Sequence, residues 1–119
     1  MLRKAALLLI AFAAPQVFVH AASADDETGL ANIHEQRREG NRICMSSHFH
    51  HGSSSGQKSR KEAEAQAIRD WAGFTAWEYG SIWGRYSLAA SKNMTCSDSG
   101  STWSCHVEAR PCRPLPKRR

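Results

Sequence analysis

Hydrophobic positions along the chain change period twice, and the two changes divide it into elements. From Ser59 to Trp83 apolar residues recur at helical spacing. Taking about 100° per residue, Ala65, Ile68, Trp71, Ala72, Thr75, Tyr79 and Ile82 fall in one sector, which predicts an amphipathic helix with that face on a sheet. Ser59 followed by Glu62 reads as a capping box at its start, and the alanines at 63, 65 and 67 favour helix in its first half. Gly73, costly in mid-helix, is expected to mark a close backbone approach, and Gly80 or Gly84 the helix end. Ala63, Ala67, Phe74 and Trp77 cluster on the other side, interrupted by Asp70. A two-layer domain leaves that side wet, so an exposed Phe and Trp there make Phe74 and Trp77 the candidate partner patch, unless the N-terminal arm or the linker loop folds over them.

After Gly84 the period becomes two. Tyr86, Leu88, Ala90, Met94 and Cys96 share a phase, with a kink expected between Ser91 and Asn93. Ser97 to Ser101 reads as a turn. Thr102 to Arg110 alternates, with Trp103, Cys105, Val107 and Ala109 inward and Ser104, His106, Glu108 and Arg110 outward. Pro111 ends that strand. Upstream, residues 41–45 carry Cys44 in a short apolar run that reads as a strand. The rest of 25–57 is a polar N-terminal arm and a His/Ser/Gly loop, flexible over Ser46 to Gly56. Residues 58–112 form the helix-plus-hairpin core and 113–119 a basic, Pro-rich tail. The fold class is α+β: one main helix on a two- or three-stranded antiparallel sheet, stapled by disulfides.

The start of the chain changes the setting. Arg3 and Lys4, the apolar run Ala5 to Ala14 and Ala22-Ser23-Ala24 make residues 1–24 a secretory signal peptide, cut after Ala24. The apolar run is shorter than the roughly 20 residues that a spanning helix needs. Removing residues 1–24 of 119 leaves 95 and takes Arg3 and Lys4 with it, so the net charge of +5 falls to +3. A domain of that size buries too little surface to be comfortably stable, and staples are expected. Cys44, Cys96, Cys105 and Cys112 supply two, as is usual in periplasmic or secreted chains. Cys96 and Cys105 flank the turn on one face, which favours their pairing and leaves Cys44 with Cys112. That second bond closes a long loop and contributes about 4 kcal/mol in the chain-entropy model.

Candidate chemistry is sparse. His48, His50 and His51, with His34 or His106 as a further ligand, form an imidazole set suited to Zn or Cu, but without a complete group of four. Ser55 to Lys58 matches S-x-x-K and Ser91-Lys92-Asn93 matches S-x-N, yet the K-T-G strand that accompanies them is missing and the domain is too small for that chemistry. The cysteines pair, which leaves no thiolate nucleophile. Arg110, Arg113, Lys117, Arg118 and Arg119 crowd the C-terminus and suit an anionic surface. A modest net charge in an exported chain argues against nucleic acid. The residues point to a non-catalytic binding protein, with an envelope protein or an anionic surface as partner and divalent-metal binding as the alternative.

Overall fold

The computed structural model describes residue 15 and residues 27–117. The signal segment with its cleavage site, Asp25, Asp26, Arg118 and Arg119 lie outside the described residues. Within them, one helix packs on two three-stranded antiparallel sheets, one more sheet than the sequence reading anticipates. A 3-10 turn, Leu30–Ile33, precedes strands β1 (Gln36–Glu39), β2 (Arg42–Met45) and β3 (His50–Gln57). Helix α1 (Arg60–Tyr79) follows, then 3-10 turns at Ser81–Trp83 and Tyr86–Leu88 and strands β4 (Ala90–Asp98), β5 (Trp103–Arg110) and β6 (Cys112–Pro114). The larger sheet has the order β3-β5-β4 and the smaller β1-β2-β6. The chain passes from one sheet to the other at Pro111, whose carbonyl accepts from Met45 N–H at 2.9 Å. No described helix is long and apolar enough to cross a membrane.

The helix begins where its cap places it: the Ser59 hydroxyl accepts from Glu62 N–H, and Gly80, at φ 106°, closes the other end. Its buried line is Ala63, Ala67, Trp71, Thr75 and Tyr79. This corrects the expected face. Trp71, Thr75 and Tyr79 belong to both, but Ala63 and Ala67 turn inward while Ile68 is only half-buried. The cause is the closeness of β3, because a Cβ built on Gly52 would sit 2.2 Å from the Ala67 carbonyl oxygen and 2.5 Å from Trp71 N. Small residues are needed on both sides of such a crossing, so the contact face is not the greasiest face. Gly73, expected to be the point of close approach, has nothing within 4 Å of the position its Cβ would take.

The segment expected as a flexible loop is largely strand β3. Its helix-facing positions are His50, Gly52 and Ser54, none of them a strong apolar signal. Ser54 earns its place by hydrogen bonding, donating to the Ala63 carbonyl at 2.6 Å while accepting from Cys105 N–H at 3.1 Å. The strand expected from Tyr86 starts only at Ala90, with a 3-10 turn before it. Its kink falls inside the expected interval: Ser91 has φ 53° and the β4–β5 register shifts between Ala90 and Asn93.

Two disulfides staple the sheets. Cys96 faces Cys105 across the β4–β5 hairpin and Cys44 faces Cys112 across β2 and β6. Trp71, Val107 and Ala109 centre one core cluster under the helix, and Ala31, Met45, Tyr79 and Trp83 a second at its C-terminal end. Arg110, expected to face outward, is buried between the sheets, where it pairs with Glu39. Arg113 pairs with Glu27. The basic C-terminal cluster therefore loses two of its members to internal pairing.

Candidate functional site

Strand β3 enters beside the C-terminal half of α1, and the gap between them is a cleft of about 530 Å³. From the strand side it is lined by His48, Phe49, His50 and His51, and from the helix by Asp70, Phe74 and Glu78. The three helix residues stand four apart, so they form one row next to the buried row Trp71, Thr75 and Tyr79. Phe74 is 44% exposed and Trp77, whose ring centroid is 6.0 Å away, is 77% exposed. Trp77 does not line the cleft but extends the apolar surface beside it. The N-terminal arm, which could have covered this patch, instead forms β1 and the 3-10 turn, and Leu30 and Ile33 are themselves exposed.

Among the side chains that line the cleft, His50 is the most enclosed, at 2% exposure. Its Nδ1 lies 2.9 Å from the Thr75 hydroxyl, and that hydroxyl donates its only proton to the Trp71 carbonyl at 2.7 Å. Thr75 can therefore only accept from His50, which fixes the ring as the Nδ1–H tautomer. Nε2 then carries a lone pair in the neutral ring. It lies 2.9 Å from a Glu78 carboxylate oxygen, off the hydrogen-bonding direction, and has no aligned hydrogen-bond partner.

Burial, and after it the neighbouring imidazoles of His48, His34 and His51, hold His50 down at about 4. His48 is also lowered, first by burial and then by His34. Tyr79, stacked on His50 at 4.7 Å between centroids, is pushed up to about 12 by burial. The ring is thus neutral in the folded protein at neutral pH.

A stability consequence follows from that shift. Between pH 6.5 and about 4 the unfolded chain takes a proton on His50 that the folded protein refuses, so stability falls as pH drops through this window and flattens below it. A displacement from 6.5 to about 4 corresponds to about 3 kcal/mol. Urea midpoints at pH 7 and pH 4 will show that loss, and His50→Gln should remove most of the slope. An equally steep slope in the variant would put the proton uptake elsewhere.

The three histidines named from the sequence do not act as one set. His34, His48 and His50 gather beside Tyr79, but ring on ring, with centroids 4.0 and 5.1 Å apart, so faces and edges meet rather than nitrogens. Next along the strand, His51 turns to His106, its Nδ1 3.2 Å from His106 Nε2 and 4.0 Å from Glu108. Among the described residues no three His, Cys, Asp or Glu side chains are grouped so as to hold a metal ion. Asp70 and Glu78 were missed as site residues because they sit among many charges in a polar sequence. Their shared spacing with Phe74 was the available signal. No family model, no curated protein and no solved structure matches the chain.

Proposed function

We propose that this is an exported, disulfide-stabilised binding protein with a non-catalytic role, which captures a protein partner of the periplasm or extracellular space on the surface made by Phe74, Trp77 and the adjoining cleft. The observation that carries the reading is Trp77, a large aromatic left 77% exposed beside a half-covered Phe74 and a cleft of matching character. Exposed aromatics of this kind concentrate binding energy when a partner desolvates them. Two disulfides with no free cysteine among the described residues suit an oxidising compartment. Those cysteines are spent on stapling, and no thiol chemistry is left to them.

The test is capture from an envelope extract on immobilised wild-type protein and on Trp77→Ser. Trp77 touches solvent for most of its surface, so the variant should unfold within about 0.5 kcal/mol of wild type. The wild type is expected to retain proteins that the variant loses. Recovery of the same proteins by both would overturn the reading.

A further inference from the structure

His50 Nε2 and the Glu78 carboxylate are two hydrogen-bond acceptors held side by side with no donor between them. The tautomer is set from the far side of the ring by Thr75, so Nε2 keeps its lone pair enclosed, while the Glu78 carboxylate, with one oxygen 2.9 Å away, is the partly exposed acceptor that lines the cleft. A second carboxylate, Asp70, stands one helical turn before Phe74 on the same row. One of its oxygens accepts from Ser53 N–H at 2.9 Å. Among the described residues, the pairs Arg37–Glu39, Arg60–Glu64, Arg110–Glu39 and Arg113–Glu27 use other carboxylates. A chain with formal charge +5 therefore places two acids, and no Lys or Arg, on the lining of this cleft. The walls between them are Phe49 and Phe74, with Phe74 set edge-on to His50 at 4.9 Å.

We propose that the cleft receives an arginine or lysine side chain of the partner protein, its N–H donors meeting the Glu78 carboxylate while its alkyl stem lies against Phe74. This rests on the binding role proposed above and names the chemistry of the partner. A guanidinium supplies two parallel donors to one carboxylate, and its flat face suits an aromatic wall. The neutral state of His50 and His48 in the fold keeps imidazolium charge from cancelling the acids. Trp77 extends the footprint past the cleft, which favours a side chain carried on a protein segment over a free small amine.

The test uses the full mature chain and a fluorescein-labelled extended peptide with a central Leu-Arg-Leu flanked by Gly and Ser, read by fluorescence anisotropy. The same peptide with citrulline in place of arginine keeps the shape and removes the charge. The arginine peptide is expected to bind about tenfold or more tightly than the citrulline peptide, as one charged hydrogen bond implies. Glu78→Gln should erase most of that difference, and Asp70→Asn part of it. Trp77→Ser should weaken both peptides alike. Equal binding of the two peptides by wild type, or no detectable binding of either, overturns the proposal. If Trp77→Ser loses binding while Glu78→Gln does not, the binding surface stands and the cation inference falls; the opposite pattern keeps the cation site and removes the surface. Binding of arginine amide as tight as that of the peptide overturns the protein-segment source. Zinc binding at micromolar concentration that Glu78→Gln abolishes would overturn it in favour of a metal.

Discussion

Replacing Arg110 with alanine is expected to destabilise the protein by about 3–5 kcal/mol, the cost of removing one partner of a buried, hydrogen-bonded ion pair. The guanidinium is 6% exposed and lies where the two sheets meet. Its NH2 group donates to Glu39 Oε1 at 2.8 Å and NH1 to Glu39 Oε2 at 2.5 Å, the fork-to-fork arrangement that makes arginine more than a point charge. NH1 also donates to the Met45 carbonyl at 2.6 Å and Nε to the Ser91 hydroxyl at 3.0 Å. One side chain therefore ties β1, the end of β2 and the kink of β4 to the end of β5. Alanine would leave the Glu39 carboxylate with only the exposed Arg37 at 3.3 Å and remove the arginine donor from the Met45 carbonyl. The thermal midpoint should fall by more than roughly 10 °C, and Arg110→Lys should recover part of the loss, because a single ammonium cannot make the bidentate pair. A cost below about 1 kcal/mol would mean that the pair is no stronger than a surface salt bridge. The same pair sets an acid limit. Glu39 is lowered to about 2, chiefly by its hydrogen bonds from Arg110, so its contribution is complete above pH 4.5 and is lost as pH falls through about 2.

Arg110 also shows why the smaller sheet escapes a reading based on apolar alternation. Strand β1 is Gln-Arg-Arg-Glu, and its anchoring residue is Glu39, a charge whose partner lies 71 positions further on. Nothing in the local pattern distinguishes such a carboxylate from a solvated one. The β4–β5 hairpin is the opposite case: inward positions are Cys, Val and Ala, the turn is rich in Ser and Gly, and the register follows from the period. The helix lies between the two extremes. Ser59 announces its start by a local capping rule, but its orientation depends on how near the sheet comes, and that distance is set by a glycine in a segment that looks like a linker. For the site, Phe74 and Trp77 could be read as unexplained aromatics from the helix period alone. The pairing of His50 with Thr75 and Glu78 could not, since it needs β3 to be a strand and to run beside the last turns of α1.

Gly52→Ala is the substitution that tests this closeness, with an expected cost of about 3 kcal/mol or more. The added Cβ would lie 2.2 Å from the Ala67 carbonyl oxygen, 2.5 Å from Trp71 N and 2.8 Å from Trp71 Cβ. No rotamer change relieves a clash with helix backbone, so α1 must lift from β3. That motion opens the contact around Trp71, whose indole N–H donates to the Ala109 carbonyl at 3.3 Å, and strains the Ser54 hydroxyl bond to Ala63. Gly73→Ala is the matched control. Its Cβ would enter open space in the middle of the helix, where alanine replaces glycine with a gain of up to about 1 kcal/mol. Denaturant midpoints should therefore move in opposite directions for two glycine-to-alanine changes in neighbouring elements. Equal and small effects would mean that helix and strand are not held at the separation seen here. The lift also reaches the cleft, because His50 sits two residues before Gly52 on the same strand and Thr75 one turn after Trp71 on the same helix. At conditions where Gly52→Ala remains folded, it should bind the arginine peptide more weakly than wild type even though neither His50 nor Glu78 has been changed.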